Sequence, residues 1–261
     1  MRYLRLAAVQ LRLSLALGAQ YRLDFLVDGL ISFLWTGLGL LPLYIALHDR
    51  PAVAGWTFDR ALVVVGWFTL LRSILDGAVN PSLIAVVEQI RQGTLDFVLL
   101  KPADAQVLVS TSRFEVWKSL DAFAGLGILV WAFRRLGQVP SPSGVAVALV
   151  LLACSTLVLY SAWIVVVAAA FWVVRLDNLA HFFGALFDFA RWPVSVFKGA
   201  FRVVFTFIIP LGILTTYPAE ALLGSLAPRT AALAVLGSLV FAALARGVWM
   251  RALRHYTSAS S

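Results

Sequence analysis

Residues 80–102 read N-P-S-L-I-A-V-V-E-Q-I-R-Q-G-T-L-D-F-V-L-L-K-P, a polar interlude between two strongly apolar segments. Asn80 is a favourable helix cap, and Pro81 suits the first helical position, where its missing N–H costs nothing. The spacing predicts a short helix starting there. Leu83, Val86, Val87 and Ile90 recur at i, i+3, i+4 and i+7, while Ser82, Glu88, Gln89, Arg91 and Gln92 fall elsewhere on the wheel. Gly93 can take the left-handed conformation that ends a helix, Thr94 can cap a second short helix over 95–100, and Lys101-Pro102 closes it. The stretch reads as a helical elbow. On spacing alone, a loop lying on a membrane surface and a docking element for a partner fit it equally well.

The chain on either side is a membrane protein by composition. Hydrophobic residues make up 61% of the 261 and charged residues 13%, against about 45–50% and 25% in soluble domains; mean hydropathy is +0.91. A spanning helix needs about 20 mostly apolar residues, so the length accommodates about six spans in one membrane domain over 1–261. The net charge of +8 would raise the question of nucleic acid in a soluble protein, but the basic residues here lie in the connections, as the positive-inside rule expects. The single cysteine, Cys154, excludes an intrachain disulfide and a cysteine-built metal cluster.

In chain order, Arg2, Arg5 and Arg12 share one helical face opposite Leu4, Leu11 and Leu15, so 1–22 reads as a helix lying on the cytoplasmic surface. The competing reading, a signal peptide ending at Leu17-Gly18-Ala19, is disfavoured because Arg12 shortens the apolar region too far. The first span is expected over 25–47 with Asp24 and Asp28 as interfacial anchors, the second over 58–79, the third over 116–133 and the fourth over 145–174; the last is 230–250. Arg72 and Asp76 sit at i, i+4 inside the second span, where each charge costs about 2.5–3.5 kcal/mol on insertion scales. They form either a self-satisfied pair or a gate facing the substrate. Glu115, Lys118 and Asp121, recurring every third residue, read as structural ion pairs.

Residues 178–207 admit two placements. In one, Leu179, Phe182, Phe183, Leu186 and Phe187 line a cytoplasmic interfacial helix and 200–217 is the fifth span. In the other, 178–192 is the span, bent at Pro193, and 199–226 folds back as a hairpin in the outer leaflet. The second moves Arg191, Lys198 and Arg202 outward, so the positive-inside rule prefers the first. Both leave the two termini in the cytoplasm.

Arg91-x-Gly93-Thr94-Leu95-Asp96-Phe97-x-Leu99-Leu100-Lys101-Pro102 resembles a motif of one branch of type-2 ATP-binding-cassette (ABC) exporter permeases. Arg191-Trp192-Pro193-Val194-Ser195-Val196-Phe197, the stretch from Ile209-Pro210 through Tyr217-Pro218-Ala219-Glu220 to Gly224, and Leu253 to Ala259 extend the resemblance over nearly the whole chain. It implies an all-α polytopic membrane fold of six spans: an N-terminal amphipathic helix, a cytoplasmic coupling helix within 80–102 between spans 2 and 3, and re-entrant helices over 193–228 between spans 5 and 6. The family's layout thus resembles the second placement. It also implies that Glu88, Ile90, Arg91, Gly93, Thr94, Leu95, Asp96, Leu100, Lys101 and Pro102 meet an ATPase. Arg72, Asp76, Arg191, Pro193, Pro210, Tyr217, Pro218 and Glu220 are then candidates for the pathway or its gate.

No G-x-x-x-x-G-K-[S/T] phosphate loop is present, and no catalytic or metal-binding residues are expected. His48, His181 and His255 are scattered, with no H-E-x-x-H and no G-x-S-x-G. The resemblance assigns ATP and Mg to two copies of a partner ABC ATPase, gives the chain a second permease as homodimer or heterodimer partner, and places it in the bilayer of a bacterial inner membrane. Its cargo would be hydrophobic or amphipathic and exported. Two other classes compete. A secondary transporter would show inverted repeats, which the two halves lack. A lipid-substrate transferase would want carboxylate clusters, for which Asp24, Asp28 and Asp76 are the only candidates.

Overall fold

The computed structural model describes residues 8–14, 16, 22–48, 51–171, 184–208 and 210–254. Among them the regular elements are helical, with a single isolated bridge between Val53 and Trp56. The main helices are α1 (Arg22–His48), α2 (Phe58–Ile74), α3 (Asn80–Arg91), α4 (Asp96–Leu99), α5 (Ala105–Ser110), α6 (Ser119–Leu136), α7 (Pro142–Ala169), α8 (Gly199–Val203), α9 (Tyr217–Leu222) and α10 (Pro228–Arg254). Four stretches of the described residues are long and apolar enough to cross a membrane: Gly29–His48, Phe58–Arg91, Pro142–Ala169 and Pro228–Arg254. α6, the third expected span, is also helical, but Asp121, Arg134 and Arg135 dilute its apolar run. Of the N-terminal helix expected over 1–22, residues 8–14 are helical and the rest lies largely outside the described residues. The side chains of Asp24 and Asp28 lie outside them too.

α2 and α6 form the closest pair, because glycine replaces side chains where they cross. A Cβ on Gly125 would sit 2.8 Å from the Leu70 nitrogen and 2.9 Å from the Gly66 carbonyl oxygen. Small residues let helix backbones approach where no hydrophobic force drives them together in lipid. α7 packs beside α10, and Phe171, just past α7, meets Trp249 edge-on at 5.9 Å. Two apolar cores stack along the bundle. One, around Trp56, holds Leu62, Val64, Leu129, Ala132, Leu151 and Ala219. The other, around Leu83, Val86 and Leu95, holds Val158, Trp163, Leu214 and Trp249. They define a Trp56 end and a Gly93 end.

The expected helix start at Asn80 is corrected. The helix from Phe58 passes through a π-helical turn, Leu75–Val79, straight into α3. Asn80 has ordinary helical dihedrals, φ −56° and ψ −47°, and its side-chain amide donates to Asp76 at 2.7 Å instead of capping. Pro81 cannot donate an N–H and its ring crowds the preceding turn; the wider π turn just before it makes the room that an α turn would not. The expected cap at Thr94 is likewise corrected. The Gly93 N–H donates to the Ile90 carbonyl at 3.2 Å and the Thr94 N–H to the Gln89 carbonyl at 2.9 Å, the paired bonds of a Schellman ending. Thr94 therefore closes the first helix. Gly93 does adopt the left-handed conformation, φ 69°.

Beyond residue 183 the backbone is broken. Helical turns at 184–188 and Phe189–Arg191 lead to Pro193; α8 runs into a π turn, Val204–Ile208; a second π turn, Gly212–Thr216, leads into α9. A helix over 200–217, as the first placement needs, is interrupted at Pro210, which has no N–H to donate. Side chains satisfy the freed backbone groups. Ser155 of α7 lies 2.8 Å from the Ile213 carbonyl, Thr215 donates to the Ala190 carbonyl at 2.6 Å, and the Val194 N–H donates to Thr216 at 3.0 Å. The Trp56 indole N–H reaches Ser195 at 3.0 Å, which ties Ser195 to the Trp56 end, while Val194 and Phe197 pack against the other core.

The glycine crossing can be checked directly. Gly125→Val forces side-chain atoms into the α2 backbone and is expected to cost about 1–3 kcal/mol, read as a lower melting temperature of the detergent-solubilised protein. Gly127→Ala, whose Cβ meets nothing within 4 Å, should be neutral or slightly stabilising.

Candidate functional site

A cavity of about 540 Å³ opens between α1, α2, α6 and residues 188–191. α2 sends Phe68, Thr69 and Arg72 into it, and the π turn adds Asp76. α6 and the turn before it supply Trp117, Lys118 and Asp121; α1 contributes Ser32, Trp35 and Thr36. Asp188 and Arg191, three residues apart on the broken segment, complete the wall. Three cations and three carboxylates thus share a space otherwise lined by aromatic and aliphatic side chains and three hydroxyls.

Their pairing is specific. Arg72 bonds Asp76 at 3.3 Å and also donates to Asp188. Asp188 accepts from Arg191 as well, at 3.1 Å, so one carboxylate serves two guanidiniums. Both cations lie against the Phe68 ring, Arg72 at 6.0 Å and Arg191 at 5.4 Å from its centroid, where the negative face of the π system attracts them. Lys118 approaches Asp121 at 3.8 Å and stacks on Trp117 at 3.8 Å from the ring centroid, while Ser32 donates to Asp121. In an apolar medium a charge needs a partner, and each of these has one.

Of the residues singled out in the sequence as pathway or gate, the structure brings Arg72, Asp76 and Arg191 together. Pro193, Pro210, Tyr217, Pro218 and Glu220 do not line this cavity; they shape the broken segment. A Cβ on Gly212 would meet the Tyr217 ring at 2.8 Å, Pro218 starts α9 and is buried, and the Glu220 carbonyl accepts from the Ser225 N–H at 2.9 Å. The sequence reading missed Asp188 altogether and took Lys118 and Asp121 for purely structural pairs. An Asp and an Arg at i, i+3 beside a proline was the available signal for Asp188 and Arg191.

The elbow forms the second part of the site. Leu95 is fully buried and Ile90 packs inward, so both anchor the elbow to the bundle. Glu88 and Arg91 pair at 2.9 Å on its surface. Asp96 begins α4 half-buried, and Lys101 and Pro102 are exposed. Leu100 is 81% exposed and Phe97 70%; Phe97 belongs to the quoted motif, but its position as an outward apolar knob emerges only from the fold.

A family profile described as ABC-2 family transporter protein matches residues 33–260. That interval contains α2, the elbow, the cavity wall at 188–191 and α10. The chain belongs to this family and is an integral membrane protein, the permease-type component of an ABC-type transporter. Comparisons with curated proteins and with solved structures find no match.

Because Asp188 serves two arginines, Asp188→Ala should lower the melting temperature more than Asp76→Ala does. Adding Arg72→Ala to Asp188→Ala should cost less than the two single losses combined, with a coupling of order 1 kcal/mol. A strictly additive pair would show that the two charges do not interact in the bilayer.

Proposed function

We propose that the chain forms half of the translocation pathway of an ABC exporter and is driven through residues 80–102 by a separate ATPase subunit. The observation that carries this is the continuity of one helix. Phe58–Arg91 runs unbroken for 34 residues, about 50 Å at 1.5 Å per residue, from the Trp56 end past Arg72 and Asp76 to the elbow. A displacement imposed at Gly93 is therefore delivered to two charges of the cavity wall without passing through a loop.

The exposed Phe97 and Leu100, flanked by Arg91, Lys101 and Glu88, suit a groove on a folded partner, and the ATPase would meet them together with Gly93, Asp96 and Pro102. ATP and Mg belong to that subunit, present in two copies. A second permease, identical or related, supplies the other half of the pathway. The Gly93 end then faces the cytoplasm with both termini, the membrane being the bacterial inner membrane. Residues 193–228 form the re-entrant hairpin of the outer leaflet; the bond from Trp56 to Ser195 and the helix breaks at Pro193 and Pro210 support that placement. Trp35, Phe68 and Trp117 beside paired charges favour a hydrophobic or amphipathic cargo moved outward.

Co-purification tests the partner: the chain should bring down an ATPase and show no ATP turnover alone, and turnover by the isolated chain would overturn the reading. Gly93→Val places a β-branched residue at φ 69°, a local strain of about 1–3 kcal/mol. That variant and Asp96→Lys should insert normally yet lose efflux or shed the ATPase; normal assembly and efflux in both would reduce the elbow to a loop. For the hairpin, a cysteine replacing the exposed Lys198 in a Cys154→Ala background should react with an impermeant maleimide added outside intact cells. Labelling only after permeabilisation would put residue 198 on the inside.

A further inference from the structure

The elbow has two ends, and the long helix holds only one of them. The other leads through Lys101 and Pro102 to Asp104, which caps α5 by accepting from the Val107 N–H at 3.2 Å. Asp104 has a second partner far along the chain. Arg246 of α10 grips it with both terminal nitrogens, at 3.2 Å to one carboxylate oxygen and 2.5 Å to the other. The same guanidinium donates to Gln106 at 2.6 Å. Gln106, buried, donates through its amide to the Tyr160 hydroxyl of α7 at 2.9 Å, and Tyr160 also meets Ser110, at the far end of α5, at 2.7 Å. One polar chain thus ties α5 to both α7 and α10.

Arg246 follows Ala245 and precedes Trp249, both buried, on a helix otherwise apolar enough to span a membrane. A cation there requires a partner, and a two-pronged guanidinium–carboxylate contact fixes direction as well as charge. Arg246 holds the Asp104 carboxyl below its ordinary value of 3.8, so Asp104 is ionised at physiological pH.

We propose that Arg246 and Asp104 form a latch that fastens the trailing end of the elbow to α10, making both positioning residues for energy coupling. The elbow then acts on the bundle at two points: on the cavity wall through α2, and on α7 and α10 through Asp104, Gln106 and Tyr160. This rests on the docking role of the elbow proposed above.

Two substitutions separate the latch from the other duties of these residues. Asp104→Asn keeps a good helix cap but removes the charge; Arg246→Lys keeps the charge but loses the fork. The full chain with its ATPase, in lipid nanodiscs, is followed by amide hydrogen exchange over 95–107 and, in vesicles, by efflux per ATP hydrolysed. Both variants should retain the ATPase, exchange faster in that segment, and lose efflux per ATP by roughly three- to tenfold, the range for a partly exposed hydrogen bond. Asp104→Asn combined with Arg246→Lys should be no worse than the more damaging single change. Unchanged exchange in both single variants would overturn the latch, and faster exchange with wild-type efflux per ATP would overturn its coupling role. A wild-type chain that holds no ATPase would sink the docking role by itself, recognisably because no substitution is involved, and exchange in Asp104→Asn would still decide the latch.

Discussion

The hydrogen-bonded backbone ladder from Phe58 to Arg91 is the constraint on which the other features depend. In hydrocarbon every N–H and C=O must find a partner within the protein, and a proline removes one donor and crowds one turn. Pro81 would ordinarily end or kink the helix. The π turn Leu75–Val79 absorbs it, so the ladder survives and the cavity wall and the elbow stay on one rod. The same turn aims Asp76 at Arg72 and Asn80 at Asp76. The device that rescues the helix thereby also builds part of the cavity.

The broken stretch after residue 183 solves the same problem by other means. There the ladder is interrupted at Pro193 and Pro210, and hydroxyls take over: Ser155 lies against one freed carbonyl, Thr215 donates to another, and Thr216 accepts a freed N–H. All three side chains are short, so the backbones they bridge must be close. Gly144 shows how close, since a Cβ there would lie 2.6 Å from the Ala221 carbonyl oxygen. Irregular backbone is tolerated in an apolar medium where protein covers it, and α7 provides that cover.

The charges follow one rule as well. Arg72, Arg191, Lys118 and Arg246 all sit on or beside apolar helices, and each finds a carboxylate on a different element or a different turn. Such pairs add modestly to stability when part-exposed; their larger effect is to fix which helices lie together. Asp188 sets the broken segment against α2, and Asp104 sets the elbow against α10.

Several elements were legible in the sequence because they rest on local physics. The apolar runs announced the membrane helices, the i, i+3, i+4 stripe placed Leu83, Val86, Val87 and Ile90 inward, and Gly93 was recognisable as a left-handed turn because glycine has no Cβ to obstruct it. The pair Arg72 and Asp76 followed from a single helical turn. Asn80 and Thr94 misled for one reason: a capping residue is also an ordinary hydrogen-bonding side chain. Whether Asn80 caps or bonds Asp76 depends on whether the preceding backbone is already helical.

What the sequence by itself determined, then, is the class of molecule, the long apolar helices and the left-handed turn at Gly93, since period, length and turn chemistry are set by residues within a few positions of one another. What only the tertiary structure decided is which distant charges meet. Asp188 lies 116 residues from Arg72 and Arg246 lies 142 from Asp104. No local pattern links such pairs, and their meeting is dictated by how the helices pack.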